Sequence, residues 1–219
     1  MSKLTNKKMN MTEQYDIVIV ANGEFPTHPL PLEVLHNARH IIACDGAIKY
    51  VPQAEVVIGD GDSVPAEYHS RLIQVDEQED NDLTKATRYC MKTFASSLTA
   101  HPSPLNIAYL GATGKREDHT LGNISLLMRY YRDMGIEGII LTDYGVFTPA
   151  FGKHTFESFK GQQVSILNFG SSQLSSEGLR WPSYAYEQWW QGTLNEAVGT
   201  SFTLHADGYY MVFQTYNAK

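Results

Sequence analysis

The sequence predicts a mixed α/β fold in which a parallel sheet with crossover helices comes first and a small antiparallel β domain follows. From Tyr15 to Asp143, short apolar runs rich in β-branched residues alternate with stretches of helical period. After Tyr144, glycine, proline and aromatic residues replace the helical spacing, and the remaining apolar runs are short and separated by turn residues. The chain therefore divides near this point.

The first part contains the strands and helices of the parallel sheet. Two stretches, 82–94 and 118–134, are predicted as helices, and in the second Leu121, Ile124, Leu127 and Met128 fall on one face. Six runs are predicted as strands: 15–21, 40–44, 54–58, 71–75, 105–110 and 138–142. This alternation predicts a Rossmann-like domain over residues 14–147.

The second part reads as a β-sandwich over residues 148–219. Its predicted strands are 154–159, 163–169, 200–205 and 209–215. Asp207-Gly208 is typical of a hairpin turn between the last two. Residues 1–13 are polar and are expected to be a disordered tail.

Composition excludes several classes of protein. Three of the 17 basic residues, Lys3, Lys7 and Lys8, lie in the tail, so residues 11–219 carry 14 basic against 24 acidic groups, which argues against a nucleic-acid partner. Cys44 and Cys90 have no CxxC or His-Cys spacing, so neither a disulfide framework nor a zinc site is expected. No run is long and apolar enough for a membrane span or a signal peptide. We expect a cytoplasmic protein.

Polar loops follow the predicted parallel strands. Ligands of open α/β sheets bind beyond the carboxyl ends of the strands, so these loops should lie along one rim. They are 21–23 (ANG), 45–46 (DG), 59–63 (GDGDS), 76–82 (DEQEDND) and 111–119 (GATGKREDH).

Asp60 and Asp62 suggest a magnesium site. Gly61 between them lets the backbone turn tightly, and paired carboxylates suit Mg²⁺, which takes its other ligands from water and phosphate. The alternative is that either aspartate makes a helix cap or an Asx turn. The same two roles, metal or phosphate-water coordination and helix capping, are open for Asp82. Lys85, one turn later, could meet a phosphate.

The segment 111–123 (GATGKREDHTLGN) indicates an anion site. Glycines after a strand and a helix N-terminus favour anions, and Lys115 and Arg116 add positive charge. The spacing fits neither a Walker P-loop nor the dinucleotide fingerprint. His119 and Asn123 could equally be structural hydrogen-bonding residues. The residues alone therefore predict a Mg²⁺-dependent enzyme that handles phosphates, without naming its substrate.

In order and spacing, these loops resemble the motifs of the thiamine pyrophosphokinase family. The resemblance covers most of the chain from Tyr15 onward and includes a Gly-Leu-Arg-Trp element at 178–181. It implies that ATP binds to the α/β loops, that thiamine binds to the β domain, and that the protein is a homodimer with active sites between subunits. The implied reaction is attack of the thiamine hydroxyl on the β-phosphorus of ATP, with AMP as the leaving group.

The resemblance also assigns site residues. Trp181 and Asn195 become thiamine-binding residues, and Asp62 or Asp82 orients the hydroxyl or accepts its proton. The catalytic set is Asp60, Asp62, Asp82, Arg116 and Asp118, of which the first three hold Mg²⁺. The nucleotide site comprises Asn22, Asp45, Gly46, Gln78, Lys85, Gly111, Thr113, Gly114, His119 and Asn123.

The chain departs from the family pattern at two positions. Asn81 stands where the family often has threonine, and Leu194 stands where a serine commonly helps to hold the thiamine pyrimidine. Leu194 leaves open a related Mg-ATP pyrophosphotransferase acting on a different small alcohol, whereas the full carboxylate set argues against a non-catalytic nucleotide or thiamine binder. Trp189 and Trp190 are expected to be buried in the core or at a dimer contact.

Overall fold

The computed structural model describes residues 15–94 and 104–218, so the predicted tail lies outside it. Within these residues the helices are α1 (Pro29–Asn37), α2 (Asp82–Phe94) and α3 (Glu117–Met134). The strands are β1 (Ile17–Val20), β2 (His40–Cys44), β3 (Val56–Gly59), β4 (Leu72–Gln74), β5 (Asn106–Leu110), β6 (Glu137–Leu141), β7 (Gly145–Phe151), β8 (His154–Glu157), β9 (Gln162–Asn168), β10 (Leu174–Glu177), β11 (Asn195–Glu196), β12 (Ser201–Ala206) and β13 (Tyr209–Ala218).

Ten of these strands form one sheet in the order β4-β3-β2-β1-β5-β6-β7-β13-β9-β11. Pairing is parallel from β4 to β6 and antiparallel from β6 to β11. The mixed α/β class is thus confirmed, but the antiparallel strands do not begin a separate sheet. A tight turn at 142–144 folds β7 back onto β6, so the sheet continues. The predicted boundary at residue 147 falls inside β7, and the division into two domains stays a prediction.

The second sheet is antiparallel, in the order β10-β12-β8. It shares a buried core with the antiparallel half of the large sheet, because Phe156 and Phe202 stack at 5.1 Å and pack in one cluster with Ile166, Tyr210 and Val212. Within that half, β13 lies between β7 and β9 and pairs with both.

The parallel half is covered on both faces. In β1, Ile17 and Ile19 belong to the core on one side, and Val18 and Val20 belong to the core on the other. Strands buried on both faces are expected to be continuously apolar, as this one is. Helices α2 and α3 cover the first side and α1 covers the second. No helix in the described residues is both long and apolar enough to cross a membrane.

Four elements were not predicted: helix α1 and strands β7, β10 and β11. Helix α1 begins with Pro29-Leu30-Pro31, and prolines are tolerated in the first turn of a helix. Pro29 occupies the first helical position, where no N–H is needed, and the His28 side chain caps the helix by accepting from Leu30 N at 3.2 Å. Strand β7 contains Pro149, yet it pairs with β13 along its whole length. Pro149 lies opposite Met211, and the register is regular on both sides of it.

Candidate active site

The polar loops predicted from the sequence do lie along one rim, because the six parallel strands end at the same edge of the sheet. The chain passes from β1 to β4 in one direction and then returns to place β5 on the other side of β1. This reversal creates a crevice between the loops after β1 and β5. Such a switch point is where ligands bind in open α/β sheets.

Three loops meet closely at this crevice. Gly23 N donates to Gly111 O at 2.7 Å, and Glu24 N donates to Thr113 O at 2.8 Å. A β-carbon at Gly23 would lie 2.3 Å from Gly111 O, so only glycine allows this approach. The loop after β2 joins them, because a β-carbon at Gly46 would lie 3.0 Å from the Asn22 amide nitrogen. The predicted nucleotide residues Asn22, Gly46, Gly111 and Thr113 are therefore neighbours.

The loop after β5 turns through left-handed backbone before α3 begins. Gly111 and Gly114 have φ of 62° and 76°, and Lys115 has φ of 60°. The hydroxyl of Thr120 accepts from Gly114 N at 3.1 Å, and Arg116 precedes the helix without capping it through its side chain. His119, predicted as a nucleotide residue, lies in the first turn with an exposed side chain. The helix N-terminus therefore faces the rim.

Two of the predicted phosphate-binding cations are already paired. Arg116 donates from Nε and Nη2 to the two oxygens of Asp118, at 3.1 and 2.6 Å. This pairing lowers the pKa of Asp118 to about 2. The Lys85 side chain is only 5% exposed, and its Nζ lies 3.0 Å from Val75 O and 3.4 Å from Asp82 Oδ1. The positive charge of Lys85 thus stabilises the negative charge of Asp82 at the rim.

Carboxylates of three loops gather near the ends of β2 and β3 and the start of α2. Burial raises the pKa of Asp82, and the neighbouring Asp45 and Asp60 raise it further, while Lys85 opposes both effects. Asp45 has φ of 44°, packs against Gly59, and has one buried oxygen, Oδ1, without a hydrogen-bond partner. Carboxylates that disfavour one another's negative charge in this way suit a bound cation.

The predicted metal ligands do not form a complete coordination shell by themselves. Among the described residues, no three His, Cys, Asp or Glu side chains are close enough to enclose a metal ion. Asp60 uses Oδ1 to accept from Asp62 N at 3.1 Å, which is the Asx turn considered as the alternative. Asp62 itself is exposed. The donor set therefore fits a hard cation that completes its shell with water and substrate oxygens.

Asn81 caps α2, and Asp82 does not. The Asn81 amide oxygen accepts from Thr84 N at 3.0 Å and from Thr84 Oγ1 at 2.9 Å. Its amide nitrogen donates to Asn123 Oδ1 at 3.1 Å, and Asn123 Nδ2 donates to Ala112 O at 2.7 Å. Asn123 is thus a buried structural link between the acidic loop and the glycine loop. The Asp82 carboxylate, freed from capping, faces the rim.

The rest of the acidic loop is held by arginines that the sequence did not single out. Asp80 forms ion pairs with Arg88 and with Arg129, the latter at 3.0 Å, and Arg88 also pairs with Glu77 at 2.9 Å. The predicted nucleotide residue Gln78 is exposed and donates to Asp76 O at 3.3 Å. The sequence could have indicated these ion pairs, because Arg88 and Arg129 lie on the predicted helices that flank the acidic loop. The loop is therefore a fixed structure.

A second candidate site lies in the antiparallel half. It is an open pocket of about 280 Å³ whose walls include Trp181, Tyr184, Tyr186 and Leu194. Trp181 is 50% exposed, and the Arg180 guanidinium lies 5.1 Å from its ring centre. Asn195 is buried, accepts from Trp181 N at 3.2 Å and donates to Trp181 O at 2.9 Å. Its amide positions the Trp181 backbone, so the predicted residues Trp181 and Asn195 act together.

The remaining aromatic and apolar residues near this pocket are exposed. Trp190 is 72% exposed, so the expectation of core burial is wrong for it, and burial at a dimer contact stays a prediction. Trp189 packs on Phe169 at 5.2 Å and donates to Asn168 O. Leu194 is 64% exposed and has φ of 63°, a conformation rare for a branched side chain.

Two family models match the chain in order. The thiamin pyrophosphokinase catalytic domain matches residues 32–137, and the thiamin pyrophosphokinase substrate-binding domain matches residues 145–213. The chain is 33% identical over 146 residues to thiamine pyrophosphokinase 1 of Oryza sativa subsp. japonica, which covers 61% of this chain and 53% of the relative. The chain thus spans about half the length of the curated relatives it matches.

Solved structures share the fold. The thiamin pyrophosphokinase of Candida albicans matches with a TM-score of 0.79 at 14% identity, over 96% of this chain and 92% of that chain. The thiamine pyrophosphokinase of Bacillus subtilis matches with a TM-score of 0.71 at 20% identity, over 91% and 98% of the two chains. Since consecutive family models account for both halves of the sequence, the chain belongs to the thiamin pyrophosphokinase family.

Proposed function

We propose that this chain transfers the diphosphate group of ATP to the primary hydroxyl of thiamine, which yields thiamine diphosphate and AMP. The observation that carries the proposal is that the glycine loop at the β1/β5 switch point shares one rim of the sheet with the carboxylates at the ends of β2 and β3 and the start of α2, in a chain of this family. In this proposal the Rossmann-like first half binds ATP. The second half forms a β-sandwich that binds thiamine.

The reaction requires positioning more than covalent chemistry from the protein. The thiamine oxygen forms a bond to the β-phosphorus of ATP, the bond from that phosphorus to the α–β bridging oxygen breaks, and the hydroxyl proton leaves. Because charge is spread over the phosphate oxygens, a protein accelerates such a step mainly by orientation and charge neutralisation. Asp62 or Asp82 would orient the hydroxyl or accept its proton.

The carboxylate cluster is the proposed magnesium site. Asp60, Asp62 and Asp82 would hold the ion, with Asp45 beside them, and Mg²⁺ would neutralise charge on the phosphates when bound. Three observations support this fit: the unpartnered Asp45 Oδ1, the raised pKa of Asp82, and the exposure of Asp62. The ammonium of Lys85 offsets part of the mutual repulsion of these carboxylates.

The aromatic pocket is the proposed thiamine site. The thiazolium ring carries a permanent positive charge, and the faces of Trp181, Tyr184 and Tyr186 attract cations. Leu194 offers an apolar side chain to the same pocket and no hydrogen bond. Substrate recognition there would consequently depend on ring stacking more than on polar contacts from position 194.

We also propose that the protein is a cytoplasmic homodimer with active sites between its subunits. The exposed Trp181, Trp190 and Leu194 near the pocket support a subunit contact, since large apolar side chains are usually covered. Cys44 and Cys90 are both free and buried, as suits a reducing compartment. Sedimentation or light scattering would reveal a monomer if the dimer is wrong.

The test is to incubate the protein with thiamine, ATP and Mg²⁺ and to identify the products. We expect AMP and thiamine diphosphate in equal amounts; ADP with thiamine monophosphate, or no turnover, would refute the proposal. Asp62→Asn should abolish turnover and leave the circular dichroism spectrum unchanged. Asp16→Asn, at the opposite end of β1 and paired with Arg39, is the matched control and should keep full activity. Near-normal turnover in Asp62→Asn would remove Asp62 from the metal site.

A further inference from the structure

The phosphate chain of a nucleotide needs positive charge at the β1/β5 crevice, and the pairing of side chains limits where that charge can come from. Arg116 is engaged by both oxygens of Asp118, and Lys85 is buried against Asp82. Neither is free to neutralise a triphosphate without breaking an existing ion pair. The sequence predicts these two cations as phosphate ligands, but in the structure each already forms an ion pair with an aspartate.

Lys115 is a cation of the same loop whose hydrogen bonds are to neutral groups. Its Nζ donates to Asn22 O at 2.8 Å and lies 3.3 Å from the hydroxyl oxygen of Tyr50, and both are neutral oxygens. Over residues 15–94 and 104–218 no carboxylate oxygen lies within 4.0 Å of this ammonium. Position distinguishes it from the other lysines without an ion pair, because its two contacts hold its ammonium at the loops after β1 and β2.

Tyr50 brings a second ammonium to the same place. Lys49 Nζ lies 4.9 Å from the centre of the Tyr50 ring, and Lys115 Nζ lies 5.5 Å from it. The Tyr50 ring stacks on Phe25 at 5.1 Å with 12° between the planes, which fixes its orientation. The hydrogen bond from Lys115 lowers the pKa of Tyr50, as two nearby cations should. We call Lys49, Tyr50 and Lys115 the lysine clasp.

The backbone at Lys115 is held in a costly conformation. Its φ of 60° is the left-handed region, which costs a non-glycine residue about 1–2 kcal/mol. The two other left-handed positions of this loop, Gly111 and Gly114, are glycines. Strain of this kind persists only where the surrounding structure fixes the conformation, and it clusters at functional sites. The conformation directs the Lys115 side chain across the crevice to the loops after β1 and β2.

We propose that the lysine clasp binds the phosphate chain of the nucleoside triphosphate, with Lys115 as its main contact and Tyr50 as a positioning residue. The proposal deepens the function proposed above and rests on it. It assigns the contact to Lys115 and Lys49, while Arg116 and Lys85 maintain the shape of the site. The clasp contributes binding and orientation and no chemical step.

The test measures binding of Mg-ATP and of inorganic triphosphate by calorimetry, together with steady-state kinetics. Lys115→Gly removes both the charge and the strain, so it should melt at a higher temperature than wild type and yet bind triphosphate about tenfold more weakly, the loss expected for one charge-assisted contact. Lys49→Gln and Tyr50→Phe should weaken binding about two- to threefold, as outer contacts do. Each should raise KM for ATP and leave KM for thiamine unchanged.

Lys153→Gln is the matched control. It removes an exposed lysine in the turn between β7 and β8, at the end of the sheet opposite the rim, and should change neither binding nor KM. The salt dependence of triphosphate binding provides a second measurement. The affinity should vary less with ionic strength in Lys115→Gly than in wild type, and it should vary as in wild type in Lys153→Gln.

The outcomes separate the two proposals. If Lys115→Gly binds triphosphate as tightly as wild type, the clasp is refuted, whatever the enzyme's activity. If wild type fails to form thiamine diphosphate but Lys115→Gly still loses triphosphate affinity, the proposed reaction is refuted and the clasp stands. Equal losses in Lys115→Gly and Lys153→Gln would also overturn the clasp, because a general charge effect would then explain both.

Discussion

Asn81 should be worth more to stability than an exposed asparagine normally is. It caps α2 through its amide oxygen and reaches α3 through its amide nitrogen. Asn81→Ala removes the cap, at about 1 kcal/mol. It also leaves the buried Asn123 Oδ1 without its donor, at about 1–3 kcal/mol. We therefore expect the free energy of unfolding to fall by about 2–3 kcal/mol and Tm to fall by roughly 5–10 °C.

Urea denaturation followed by circular dichroism measures this change, and two further variants divide it. Asn81→Ser keeps a capping oxygen and loses the amide donor, so its stability should lie between those of wild type and Asn81→Ala. The double-mutant cycle of Asn81→Ala with Asn123→Ala should give a coupling energy of about 1 kcal/mol.

A coupling energy within error of zero would refute the link between the two helices. Equal stability of Asn81→Ala and wild type would refute the cap as well. Because the link ends on Ala112 O in the glycine loop, Asn81→Ala should also raise KM for ATP, whereas Asn81→Ser should do so to a smaller extent.

Three further predictions follow from the rim and the pocket. Gly23→Ala places a β-carbon 2.3 Å from Gly111 O and should destabilise the protein by about 1–3 kcal/mol, whereas Gly122→Ala, with open space on α3, should stabilise it by about 0.5–1 kcal/mol; urea midpoints compare them, and equal shifts would contradict the close approach. Because burial raises the pKa of Asp82, this group contributes stability at pH values below its unfolded pKa, and that contribution is lost as pH rises through the folded pKa. Since metal ligands must be deprotonated, Mg²⁺ should raise Tm at pH 7 more than at pH 4. Equal increases would argue against a carboxylate metal site. Leu194→Gly relieves a left-handed φ of 63° and should raise stability by about 1 kcal/mol while changing KM for thiamine and leaving KM for ATP unchanged; an unchanged KM for thiamine would remove the pocket from substrate binding.

Elements with a single strong signal could be predicted from the sequence. Strand β2 and helix α2 begin and end where expected, because the β-branched run 40–44 and the helical period of 82–94 are both bounded by turn residues. Helix α1 and strand β7 were not predicted, and both contain proline. In α1 the proline stands at the first helical position, which is a local feature. In β7 the pairing around Pro149 depends on β13, a strand distant in sequence, and sequence spacing does not report that pairing.

The site shows a similar division. Strand-end loops could be predicted because parallel strands place their carboxyl ends at one edge. Which charges remain available could not, because it depends on side-chain pairing. Arg116 and Lys115 are adjacent in sequence and look alike as phosphate ligands, yet one faces Asp118 and the other faces neutral oxygens. From sequence alone, Asn81 and Asp82 are equally good candidates for the cap of α2, and only the structure shows that Asn81 makes it.

The position of β13 bears on how the chain matures. Tyr209–Ala218 is synthesised after β7 and β9, yet it is the strand that joins them. Until it leaves the ribosome, each neighbour exposes an unpaired edge, and such edges favour association with other chains. The parallel half has all of its strands by Leu141, whereas the antiparallel half lacks the strand between β7 and β9 until Tyr209–Ala218 has been made. Nascent chains stalled before Tyr209 should consequently be the species that chaperones protect.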